Sequence, residues 1–210
     1  MSYDIGSILS EIESISETRG PLPAFTHVHI IYAILVIRNF GTIGRKRLAE
    51  QLALGEGSVR TMLQRLSGLG LVKPSRGGYG LSNKGMMLHS YITSRIILLT
   101  EVKIPLPWKS PHNAAVIVKG AAGKITSGIP QRDASIRHGA LEALILTFDK
   151  NGLHMPRVAN LSEERPQFAR QILETLRPDL GDVIIIAGAD EIFTARYAAL
   201  GAALTLLSQP

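Results

Sequence analysis

The segment Ser58-Val59-Arg60-Thr61-Met62-Leu63-Gln64-Arg65-Leu66 carries the side-chain types best suited to reading the edge of a base pair. Arginine presents paired donors that match guanine, and glutamine presents the donor and acceptor that match adenine. Arg60, Gln64 and Arg65 are therefore candidates for sequence recognition in a DNA major groove. Ser58 and Thr61 stand near the start of the same segment, where hydroxyls and the free N–H groups of a helix suit a phosphate. Arg45, Lys46 and Arg47 form a run that would grip the backbone of a double-stranded DNA. Lys73, Arg76 and Tyr79 frame a glycine pair, Gly77-Gly78, from which they would reach phosphate or the neighbouring minor groove. Any one of these cations can equally be an ordinary solvated side chain; the expectation rests on the set.

The charge distribution supports treating them as a set. Residues 26–100 hold ten Lys and Arg against the two acids Glu50 and Glu56, whereas residues 111–210 hold ten of each sign. Charge steers a polyanion only where it is concentrated. The two halves are accordingly expected to serve different partners.

The elements that must position these side chains are legible from apolar spacing. Ile5, Ile8, Leu9, Ile12 and Ile15 recur at helical intervals and predict an amphipathic helix ending before Arg19-Gly20-Pro21. Thr26 is placed to cap a strongly apolar helix from His27 to Asn39, closed by Phe40-Gly41. GRKRLAEQLAL gives a helix with Leu48, Ala49 and Leu52 on one side, stopped by Gly55. A third helix, the recognition helix, spans about residues 57–69, with Val59, Met62, Leu63, Leu66 and Leu69 on its buried stripe. LVKPSRGGYGLS then reads as a hairpin over about residues 72–82, with Gly77 and Gly78 supplying the turn.

Beyond a proline-rich transition at Pro105, Pro107 and Pro111, the segments AAVIVKG, LEALILTF and DVIIIAGA read as buried strands. They alternate with helix-like RDASIRHGA, PQFARQILETL and EIFTARYAALGAALTLL, which predicts an α/β domain with a mixed sheet. The boundary is set at 92/93: a DNA-binding domain over 1–92 and an α/β domain for effector binding or assembly over 93–210.

In this second half the loop GAAGKITSGIPQRDASIRHGA gathers Lys124, Arg132, Asp133, Arg137 and His138 among glycines, a composition able to bind a small anionic effector. Asp190 follows a strand at the place where open α/β sheets hold ligands; it is either a ligand contact or a helix N-cap. No Walker or G-x-G-x-x-G spacing occurs. The chain has no cysteine, which removes disulfides, thiolate metal sites and cysteine nucleophiles. Six histidines show no H-x-x-x-H or H-E-x-x-H arrangement, and no G-x-S-x-G elbow positions a nucleophile. No cofactor, metal or catalytic activity is expected. The longest apolar runs fall short of a membrane span, and the first residues carry acids rather than a basic leader, so a cytoplasmic protein is expected.

The stretch GRKRLAEQLALGEGSVRTMLQRLSGLGLVKPSRGGYGLSNKG resembles the winged helix-turn-helix, in its R-x-x-L-A, S-V-R-x-x-L-x-x-L, G-L-V and G-Y-x-L-S positions. The resemblance implies DNA binding, although some winged helices bind proteins instead. The whole arrangement resembles a family of archaeal proteins assigned as transcription regulators, with an N-terminal winged helix and a C-terminal α/β domain of unknown function. That implies a regulator and supplies no effector. Symmetric operators call for a homodimer, and the helix at residues 5–15 is a candidate dimer element, unless it merely packs on its own domain. The alternative from another class is an enzyme bearing a regulatory winged helix, as in archaeal riboflavin kinases.

Overall fold

The computed structural model describes residues 4–16, 24–99 and 101–207. The chain divides into two units, Met1–Thr93 and Ser94–Pro210.

In the first unit, α1 (Ile5–Ser16) buries Ile8 and Ile12. The break expected at Arg19-Gly20-Pro21 and the side chain of Ile15 lie outside the described residues. Helix α2 (His27–Phe40) starts at a capping box: the Thr26 hydroxyl accepts from the Val28 N–H at 3.2 Å, and Nδ1 of His29 accepts from the Thr26 N–H at 3.2 Å. A histidine here does the work more often given to Glu or Gln. The helix is buried over nearly all its circumference and closes at Gly41, φ +70°. Helices α3 (Arg45–Leu52) and α4 (Glu56–Gly68) pack on each other, with Leu48, Ala49 and Leu52 of the first and Val59, Met62, Leu63 and Leu66 of the second buried. Gly55 does not stop α3. The helix ends earlier, with Ala53 in the left-handed conformation (φ 50°), and Gly55 instead precedes α4 in extended conformation.

Strands β1 (Val72–Ser75) and β2 (Gly78–Leu81) form an antiparallel hairpin with Ser75 opposite Gly78, so Arg76 and Gly77 make the turn. Gly77 takes φ +100°. A third extended segment joins them: Ile43 and Tyr79 exchange two backbone hydrogen bonds of 3.0 Å. A Cβ on Gly78 would stand 2.1 Å from the Ile43 carbonyl oxygen, so only glycine fits there. Helix α5 (Asn83–Thr93) follows, capped by the Ser82 hydroxyl, which accepts from the Gly85 N–H at 3.1 Å. Helices followed by a hairpin that gains a third strand from the segment between α2 and α3 make a winged helix.

The second unit contains β3 (Ile96–Leu99), β4 (His112–Val118), α6 (Ile129–Arg137), β5 (Glu142–Asp149), β6 (Gly152–Met155), β7 (Ala159–Asn160), α7 (Leu161–Glu164), α8 (Pro166–Leu176), β8 (Val183–Ala189) and α9 (Ile192–Leu207). The strands order as β3-β4-β8-β5-β6-β7. The α/β class stands, but the mixed sheet expected from alternation is corrected: every pairing is antiparallel. Strands β4 and β5 do run the same way, joined through α6 as in a crossover unit, yet β8 lies between them and opposes both. The meander β5-β6-β7 and helices α7 and α8 bring the chain back to the end of β5, where Val183 pairs with Thr147. From there β8 can only run backwards.

All seven residues of β8 are buried, because both faces of the sheet are covered. One face packs Ile184 and Ile186 with Leu144, Leu146, Leu161 and Ile172 beneath α7 and α8. The other carries α6 and α9, and α9 presents buried Ala195, Ala198, Ala199, Ala202 and Ala203, small enough for close approach. Among the described residues no helix is long and apolar enough to cross a membrane.

Candidate nucleic-acid interface

Helix α4 exposes a narrow stripe. Gly57, Arg60, Gln64 and Gly68 are exposed at successive turns, and a Cβ on either glycine would meet nothing within 4 Å. Arg60 and Gln64 thus stand one turn apart on an open helix face, the disposition a groove requires. Arg65 does not join them. Five residues make about 1.4 turns, placing Arg65 about 140° round the helix from Arg60. There it is half-buried, its guanidinium 5.4 Å from the centre of the Phe25 ring. Helical geometry alone could have separated this pair. Ser58 and Thr61 are half-buried, and the Thr61 hydroxyl donates to the Gly57 carbonyl at 3.2 Å. A phosphate contact by Thr61 would have to break that bond.

The first turn of α3 is unusual. Arg45, Lys46 and Arg47 are all exposed at the end of the helix where the dipole and the unpaired N–H groups disfavour cations, by roughly 0.3–1 kcal/mol each. The preceding Gly44 offers no side-chain cap. Arg47 recovers part of the deficit by lying over the Phe40 ring, 4.3 Å from its centre. The N–H groups and three cations together make a place where an anion satisfies what the chain itself leaves open.

The hairpin is brought to the same corner. The Gly77 carbonyl oxygen lies 3.8 Å from where a Gly44 Cβ would stand, so the turn bearing Arg76 abuts the start of α3. Tyr79 is half-buried, fixed through its backbone to Ile43. Lys73 is exposed on β1 and borders an open groove of about 540 Å³ with Leu69, Asn83 and Lys84; Lys84 is paired with Glu11 of α1 at 3.3 Å. Exposed Arg38, at the end of α2, was not singled out from the sequence. Burial, and then the charge of Arg38, holds the neighbouring His89 below the ordinary histidine range.

The residues singled out in the second unit are drawn into separate structural contacts. Lys124 donates from Nζ to the Leu206 carbonyl at 3.3 Å, near the C-terminal end of α9. His138 occupies a notch left by Gly201, where a Cβ would stand 2.1 Å from its Cδ2, and meets the Tyr197 ring edge-on at 5.2 Å. Arg132 pairs with Asp133 at 3.5 Å on the surface, and Arg137 is exposed in the last turn of α6. Asp190 is exposed two residues before α9, and Glu191 takes the position next to its first residue.

A winged-helix unit with a basic corner, followed by an α/β unit built on an antiparallel sheet, defines the class of protein. Comparisons agree on the two-part organisation. Residues 29–87 match the family described as PH0730-like, N-terminal domain, and residues 109–206 match a domain of unknown function, DUF4443. Among solved structures, the hypothetical protein PH0730 from Pyrococcus horikoshii OT3 is 29% identical, with a TM-score of 0.65 over 87% of this chain and 92% of that one. The chain is thus similar to an archaeal protein over both of its units. No curated protein matches it.

Proposed function

We propose that this chain is a DNA-binding transcription regulator of the cytoplasm, working as a homodimer on double-stranded DNA. The observation that carries the reading is the placement of Arg45, Lys46 and Arg47 on the uncapped start of α3, beside the turn that bears Arg76. Cations placed against a helix dipole lower the stability of the free protein, and a phosphate reverses the sign of that term. In this reading α3 and the wing hold the backbone, while Arg60 and Gln64 read base edges. The α/β unit serves assembly, with response to a small-molecule effector as a further role; the chain is a binding protein and not an enzyme.

The test is binding of the full chain to a genomic fragment spanning its own promoter, followed by fluorescence anisotropy across a salt series. Affinity should fall steeply with salt. Arg45→Ala and Arg76→Ala should each weaken binding to all sequences and reduce the salt slope by about one, whereas Arg60→Ala/Gln64→Ala should erase the preference for the promoter fragment over random DNA. Binding that ignores salt, or that Arg45→Ala and Arg76→Ala leave untouched, would overturn the reading.

A further inference from the structure

Helix α6 is built inside out. Its inner side is polar: Gln131 is 3% exposed and Ser135 fully buried. The Gln131 amide donates to the Thr205 hydroxyl and the Ser135 hydroxyl to the Ala198 carbonyl, each at 3.2 Å, both on α9. Its outer side is apolar, with Ile129 59% and Ile136 38% exposed. Intervals of three, four and seven residues set Ile129, Arg132, Asp133 and Ile136 on one face, opposite Gln131, Ala134 and Ser135. Turning the helix to bury the isoleucines would strand buried polar groups that now have partners. The outward isoleucines are therefore specified by the packing beneath them.

The charges beside the isoleucines say what fits. Arg132 lies on one flank of the Ile129–Ile136 line and Asp133 on the other, their side chains 59% and 49% exposed. A two-fold axis running along α6 sets each isoleucine against itself in a second copy. It also places Arg132 of each copy against Asp133 of the other, on both flanks of the apolar seam. An antiparallel approach would instead set Arg132 against Arg132. The face is complementary to itself in one orientation, as an isologous interface demands.

We propose that α6 docks on α6 of a second copy of this chain, in parallel and about a two-fold axis, with Ile129 and Ile136 as the seam and Arg132–Asp133 pairs closing its edges. This rests on the homodimer in the reading above and does not depend on what the first unit binds. The seam replaces α1 as the dimer element.

Sedimentation equilibrium of the full chain over a concentration series tests it. The chain should dimerise reversibly, and Ile129→Asp or Ile136→Asp should raise the dissociation constant at least about tenfold. Val158→Asp, at an exposed apolar residue between β6 and β7, should leave it unchanged. Arg132→Asp and Asp133→Arg should each loosen the dimer, and the two together should restore it, a rescue that a misfolded variant would not give. A chain that stays monomeric throughout overturns both the homodimer and this seam. A dimer that survives Ile129→Asp/Ile136→Asp overturns the seam alone.

Discussion

The cations of α3 and those around α6 look alike in sequence and stand in opposite relations to the structure. Lys124 meets a carbonyl near the end of α9, and Arg137 sits in the last turn of its helix. Each stands where a cation stabilises the fold. Arg45 and Lys46 stand at the helix end where a cation opposes it. A charge whose position serves the fold needs no further explanation, whereas one that works against the fold points to a partner outside it.

The comparison can be broken most severely at the notch beneath His138. Gly201→Ala would drive a Cβ into the imidazole, where the space is 2.1 Å, and should cost about 2–3 kcal/mol as overpacking. In thermal unfolding the second unit should melt at least about 8 °C lower. No loss would mean that His138 is loosely held and open to a ligand after all. Exchanging cations for neutral side chains sharpens the contrast. Lys124→Met should destabilise by about 0.5–1.5 kcal/mol through loss of its bond to Leu206. Arg45→Gln/Lys46→Gln should instead stabilise by about 0.6–2 kcal/mol while weakening DNA binding. Destabilisation by the latter pair, read in chemical denaturation, would erase the distinction between the two helices.

Acid should separate the units by a smaller margin. Burial holds the His27 imidazole below its ordinary value of 6.5, with Glu13 opposing. The folded state therefore favours neutral His27. That contribution is complete above pH 6.5 and is lost as pH falls from there through the lowered value. In the second unit Asp149 is lowered by the Asn151 backbone N–H and then by His154, so its contribution persists until pH falls below the ordinary carboxylate range. Calorimetry between pH 7.5 and 5 should show the first unit losing stability while the second keeps it, and His27→Asn should flatten the difference.

Much of the scaffold was legible because periodicity survives in the sequence. The seven-residue strand β8 and the helices α2, α4, α8 and α9 are long and regular enough to declare themselves. The sheet direction was not legible, because the reversal is made by β6 and β7, four and two residues long, which leave no periodic trace. In the candidate site, Arg60 and Gln64 fall on one exposed stripe, while Arg65 lies off that stripe, half-buried against the Phe25 ring. Lys124 and His138 looked like ligand groups because their partners lie 82 and 63 residues away, at Leu206 and Gly201. The approach of the wing to the start of α3 depends on Ile43, a single residue pairing outside any regular strand.

The central position of β8 has a consequence for how the second unit is made. Its two neighbours, β4 and β5, are synthesised first, and neither pairs with the other; their hydrogen-bonding edges meet only when residues 183–189 arrive between them. On the ribosome the emerging chain therefore displays two long apolar edges, the kind of surface that seeds aggregation. The unit cannot close stepwise from its N-terminal end, and its folding should wait on the last strand to be translated.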